Sequence, residues 1–172
     1  MAAAVVDGLL QTGDYARAVL RGAWPADSDE RIEQHVTARM ARQEILRRKD
    51  PEPPIVSVIL SETVLRQPVG DAAVMRDQFS RMLEDARNPR ITIQIMPWSA
   101  GAHPGLLGPF VVASFDAGPD AAYLDNALAG QVTERRKDVA RVGLLYDSLA
   151  REALSPGASA ELIAKVIEEL WT

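Results

Sequence analysis

Apolar positions recur along this chain with two periods, one helical and one extended. Tyr15, Ala16, Val19 and Leu20 share one face of a helix that Thr12 caps near Gly13 and that Gly22 and Pro25 end. Ile32, Val36 and Met40 recur at four-residue steps after Ser28 and predict a second helix. Its stripe extends to Gln43–Leu46, leaves Arg39, Arg42 and Arg47 mostly off the apolar face, and stops at the prolines of Asp50–Pro54. Met75, Phe79, Met82, Leu83 and Ala86 mark a third helix, capped by Asp71. Val139, Val142, Leu145, Tyr146, Leu149 and Ala153 form a fourth stripe. Ser155-Pro156 is a cap followed by a first-turn proline, and it opens a last helix carrying Leu162, Val166, Ile167 and Leu170.

Between the helices the period shortens. Ile55–Leu60 is an apolar run behind two prolines and reads as a buried strand. Ile91-Thr92-Ile93-Gln94-Ile95 alternates strictly, with the isoleucines on one face and Thr92, Gln94 and Met96 on the other. Pro109–Phe115 and Ala121–Leu124 predict two more strands, joined by the turn Ala117–Asp120. Pro68 and Gly70 mark a turn after Ser61. The order ααβαβββαα predicts an α+β fold over residues 1–172 as one domain. A mixed β-sheet of about four strands is expected, flanked by N-terminal and C-terminal helices.

Composition narrows the function classes. A chain of 172 residues, 47% hydrophobic, is long enough to bury a core without disulfides or a structural metal. Cysteine is absent, which removes disulfides, thiol nucleophiles and Cys-ligated zinc. A net charge of −5 argues against direct nucleic-acid binding by this chain. Its basic clusters, Arg47–Lys49 and Arg135–Lys137, are short, and the first suits a helix end. Met1–Val6 is apolar but lacks the basic segment of a signal peptide, and no run is long enough for a membrane span. A cytoplasmic protein without membrane contact is expected.

Ser99 and His103 share one glycine-containing loop, Met96–Phe110, which invites comparison with a hydrolase. No G-x-S-x-G elbow surrounds Ser99, and no orienting carboxylate is apparent. His35 and His103 form no H-x-x-x-H pair, and no metal is expected. Phosphate-binding glycine motifs are also missing, and no cofactor is expected. Glu62 and Asp125 end the first and fourth predicted strands and would flank one cavity if those ends meet, with Arg66 pairing to Glu62. Met96, Trp98 and Phe110 supply apolar walls, Gln94 and Tyr123 supply polar contacts, and Glu62, Arg66, Ser99, His103 and Asp125 complete the residues expected to bind a small-molecule ligand or substrate.

Five ordered blocks then carry a resemblance: Gly8–Leu20, Arg39–Arg48, Ser61–Gly70, Val74–Glu84 and Ile91–Phe110. Together they resemble the DUF5753 domain, abundant in actinobacteria and usually C-terminal to an XRE-type helix-turn-helix. The resemblance implies the sensing or partner-binding half of a transcription regulator, and it carries over no catalytic residue set. Glu62 and Arg66 match the family's E-x-x-L-R pattern, and Ser99–Gly105 match its S-A-G-A-H-P-G loop. Asp7 stands where the family commonly has proline, Trp98 where it has phenylalanine, and Asp125 where it has glutamate. The helix-turn-helix does not fall within these residues, so either a cut regulator or a free-standing domain with another use is expected. That other use includes cofactor-free catalysis, such as a cyclisation in natural-product biosynthesis, by positioning and polarisation alone. A homodimer stays open, because the C-terminal stripe suits either the sheet or a second subunit.

Overall fold

The computed structural model describes residues 5–125 and 130–172. Of the apolar opening segment Met1–Val6, Met1–Ala4 lie outside the described residues. Helix α1 (Gly13–Ala23) starts on Thr12, whose hydroxyl accepts the Tyr15 N–H, and α2 (Asp29–Arg42) starts on Ser28. A 3-10 turn, Gln43–Leu46, extends α2. Strand β1 (Val56–Ser61) is followed by the one-turn helix α3 (Thr63–Arg66), where the sequence suggested only a turn. Helix α4 (Ala72–Asp85), capped by Asp71, then leads to β2 (Ile91–Met96). Strands β3 (Phe110–Ala113), β4 (Ala121–Leu124) and β5 (Gln131–Thr133) precede α5 (Arg136–Glu152) and α6 (Pro156–Leu170).

The α+β class is as expected, but the strands form two sheets rather than one mixed sheet. β1 and β2 pair in parallel, with α3 and α4 as the crossover such a pair requires. β3, β4 and β5 form an antiparallel meander. The reason for the division lies at the outer edge of β2. There the Ile95 N–H donates to Ser159 Oγ (2.9 Å), and the Ile95 carbonyl accepts from Leu154 N–H (2.9 Å). The α5–α6 junction therefore occupies the position a third strand beside Ile95 would need. Gln94 Nε2 donates to the Leu154 carbonyl at 2.9 Å and fixes the same junction.

The main core lies between the parallel pair and helices α1, α4 and α6, around Tyr15, Leu60, Phe79, Ile95, Ile163 and Val166. Met96, on the opposite face of β2, is buried against Leu149 of α5. The second sheet lays Ala122 and Val112 on Val139 and Val142 of α5. Phe110 packs into both of these smaller clusters and so couples the two sheets.

A buried amide network anchors residues 6–12. Gln78 Oε1 accepts the Thr12 N–H (2.8 Å), and its Nε2 donates to the Leu10 carbonyl (2.8 Å). Gln43 Nε2 donates to the carbonyls of Gly8 (2.9 Å) and Gln11 (2.7 Å), and Gln11 Nε2 donates to that of Val6 (2.7 Å). Arg39, expected off the apolar face, is half-buried and donates to Gln11 Oε1 at 2.7 Å. Burial first, and the charge of Arg42 second, lower its pKa.

Candidate functional site at the carboxyl ends of the parallel strands

Because β1 and β2 run in parallel, the residues leaving both strands emerge at the same end. Glu62 leaves β1 and donates its N–H to the Met96 carbonyl (2.9 Å), which prolongs the ladder by one step. Pro97 and Trp98 leave β2 at the matching height. Glu62 Oε1 accepts from Arg66 Nε at 3.1 Å, one helical turn away along α3. Glu62 Oε2 accepts the Trp98 backbone N–H at 3.1 Å. The indole Nε1 donates to Thr63 Oγ1 (3.2 Å), which also accepts from Ser61 Oγ (3.1 Å). The Arg66 guanidinium carbon lies 5.1 Å from the Trp98 ring centroid, within cation–π range. Both oxygens of Glu62 are thus engaged, and this carboxylate acts as a brace.

The brace fixes the start of the loop between β2 and β3. Trp98–Ala100 and Pro104–Leu107 are 3-10 turns, and Gly101 between them has φ +65°, a region that favours glycine. His103 is extended, as a residue before proline must be. Its buried Nδ1 has no hydrogen-bond partner among the described residues. Ser99 is exposed, and no hydrogen bond joins it to His103 among the described residues, so no Ser–His couple is formed. The second turn rests on α5, while Leu106 (61%) and Leu107 (87%) face solvent together with Trp98 (59%).

The remaining predicted residues lie elsewhere. Tyr123 and Asp125 meet each other, with the phenol donating to Asp125 Oδ1 at 3.2 Å, on the second sheet. Desolvation, then the Asp125 charge and its hydrogen bond, raise the Tyr123 pKa above 10.0. Glu62 and Asp125 do not end strands of a common sheet; each carboxylate has its own partner, because β1 and β4 belong to different sheets. Gln94 and Phe110 hold elements together as described above. Among the described residues no three His, Asp or Glu side chains converge as a metal site would need.

A concavity that the sequence pattern did not mark lies at the other end of β2. It is a groove of about 350 Å³ between Ala86, Asn88 and Pro89 after α4, Ile91–Ile93 of β2, and Pro156, Gly157 and Ala160 of α6. The register and the Val56 N–H to Arg90 carbonyl bond (2.8 Å) turn the even-numbered backbone groups of β2 toward β1. Ile93 therefore turns its N–H and carbonyl to the groove, and neither has a partner among the described residues. Alternation of side chains reports faces, not edges, which is why this site gave no signal in sequence. A shallower hollow of about 500 Å³ lies on α2 around Glu30, Arg31, Gln34 and His35.

An α+β domain has thus been defined, with a braced, solvent-facing loop above a parallel strand pair and a groove below it. The chain belongs to the family described as DUF5753, a domain of unknown function, whose model matches residues 1–165. No curated protein and no solved structure matches it. Among the described residues no helix is long and apolar enough to cross a membrane.

Proposed function

We propose that this domain is a binding module, the partner-binding or effector half of an XRE-type transcription regulator, acting in the cytoplasm. The observation that carries the reading is the braced loop. Trp98, Leu106 and Leu107 are large apolar side chains held out to solvent on a backbone fixed by Glu62, two 3-10 turns and α5. An ordered apolar projection is costly to leave in water and pre-organised for contact, so it suits a protein interface. Glu62 being saturated by Arg66 and Trp98 weighs against its use as an acid or base.

The partner in this reading is the helix-turn-helix polypeptide of the regulator, in the same chain or in a sister protein. The test is capture of a purified XRE-type helix-turn-helix protein by the immobilised domain. The triple variant W98A, L106S, L107S is expected to lose capture while staying folded, with an unchanged circular dichroism spectrum. Equal capture by the variant would overturn the loop as the contact.

A second reading, sensing of a small molecule, is favoured by the groove at Ile93. Its mostly apolar walls and two unpaired backbone groups suit an amide-bearing ligand. A thermal-shift screen of short amides, repeated on A160W to fill the groove, separates this reading from the first.

A further inference from the structure

The same ladder geometry that exposes Ile93 on one side of the parallel pair leaves the whole outer side of β1 open. Val56, Val58 and Leu60 direct their backbone groups to β2, as the Val56 N–H to Arg90 and Glu62 N–H to Met96 bonds require. Ser57, Ile59 and Ser61 therefore turn their N–H and carbonyl groups away from it. No hydrogen bond reaches the backbone groups of Ser57 or Ile59 among the described residues. A two-stranded sheet is small for an independently stable one, and parallel sheets are ordinarily extended and covered.

Edge strands are commonly blunted by charge, proline, a bulge or shortness. The free-edged strands β3 and β5 of the second sheet are four and three residues long. β1 is six residues long, and Val-Ser-Val-Ile-Leu-Ser contains no charged residue and no proline. Ile55, immediately before it, is 75% exposed. Left bare, such an edge is an aggregation hazard.

We infer that β1 pairs antiparallel with β1 of a second copy of this chain, about a two-fold axis through Ile59. The sequence is complementary to itself in that register. Ile59 faces Ile59 of the other copy, Ser57 faces Ser61, and Val58 faces Leu60. Apolar meets apolar, hydroxyl meets hydroxyl, and no charge is placed against a like charge. Ile59, Ser57 and Ser61 sit at hydrogen-bonded positions, where facing residues exchange both N–H···O=C bonds. The product is one four-stranded sheet, β2-β1-β1-β2, with the same patch used on both subunits, as a closed two-fold dimer requires.

Ser57 gives a clean test. Its side chain is exposed and its N–H points away from β2, so S57P removes one outer donor and leaves the inner ladder intact. S57K places a charge at the same edge without touching the backbone. Sedimentation of the unmodified chain is expected to give a dimer. S57P and S57K are expected to sediment as monomers with unchanged circular dichroism, and with a thermal midpoint that no longer rises with protein concentration. A monomeric unmodified chain overturns the second copy as the occupant of this edge. A dimer that persists in both variants overturns β1 as the interface.

Discussion

The Arg66 guanidinium lies over the Trp98 indole, 5.1 Å from the ring centroid, while Glu62 holds Arg66 with one oxygen and the Trp98 backbone with the other. One carboxylate thus fixes both halves of the pair, and each half leaves a different strand. Removing it should free both. E62A is expected to cost roughly 1–3 kcal/mol in urea unfolding, the range for a charge-assisted hydrogen bond and a bereaved partner. E62Q should cost less, since its amide oxygen still accepts one bond. Amide exchange at Trp98 should quicken in E62A. If it stays as slow as in the parent, the loop is held by its own turns and not by Glu62.

Trp98 itself should behave differently. Most of the ring is exposed, so W98A removes the ring beneath the Arg66 cation and its exposed hydrogen bond to Thr63, with little buried area. About 0.5–1 kcal/mol of stability is expected to go, the usual range for an exposed cation–π contact. A much larger loss in the thermal midpoint would make Trp98 a core residue and weaken its reading as a contact residue.

Gln78 is the amide on which the start of the chain depends. It is fully buried and serves two backbone groups of the segment preceding α1, Thr12 N–H and Leu10 C=O. Truncation leaves both without partners, the Leu10 carbonyl in the buried interior and the Thr12 N–H in a part-buried position. Q78A is expected to lower stability by roughly 2–4 kcal/mol, one unsatisfied group for each lost bond. Q78E replaces the donor by an acceptor at neutral pH, so it should be destabilised at pH 7 and partly recover as the carboxyl protonates. Denaturation curves at two pH values decide this; pH-independent stability in Q78E would contradict the bond to Leu10.

These residues show what could be read in advance. Caps at Thr12, Ser28, Asp71 and Ser155 were legible because a helix start is a local event, written in the cap and the three residues after it. The strand at Ile91 was legible by alternation. The two-sheet arrangement was not, because it follows from Ser159 and Leu154 meeting Ile95 some sixty residues away in sequence. Gln11, Gln43 and Gln78 sit in blocks that mark the family, yet polarity alone reads Gln11 and Gln78 as surface; Gln43 was marked by its place where the apolar stripe of the second helix continues. Trp171 is another such case. Its indole donates to the Leu65 carbonyl at 2.9 Å and it is buried past the end of α6, where periodicity has stopped. Of the candidate site, the Glu62–Arg66 pair was expected from the sequence, but the one-turn helix that brings the two side chains together was not. Its contact with Trp98 needed the parallel register of β1 and β2.

Tyr123 and Asp125 give a titration with a defined sign. The phenol's pKa lies above 10.0 through desolvation first and the neighbouring carboxylate second. A group with a raised folded-state pKa contributes stability that is complete below its unfolded value and is lost as pH rises through the folded one. Absorbance titration at 295 nm, read as the difference from Y123F, should show Tyr123 ionising above 10. D125N should bring that titration down. No movement in D125N would mean that the carboxylate at 3.2 Å contributes nothing to it.

The α1–α2 hairpin should respond to acid through Glu33. Arg17 of α1 bridges Asp14 on its own helix and Glu33 on α2, with the second Glu33 oxygen accepting Nη2 at 2.9 Å. The Arg17 hydrogen bonds, chiefly, hold the Glu33 carboxyl below its ordinary 4.5. For a depressed carboxyl the sign is opposite to that of Tyr123. Its stabilisation is present above the unfolded value and fades as pH falls through the folded one. Both side chains are well exposed, so the effect is small and screened by salt. Thermal midpoints between pH 7 and 5 should therefore be flat with respect to this pair. Between pH 4.5 and the lower folded value they should fall more steeply in the parent than in E33Q, and the difference should shrink in high salt. Parallel profiles in both proteins would show that the bridge contributes nothing to holding α1 on α2, leaving that contact to Leu20, Ile32 and Val36.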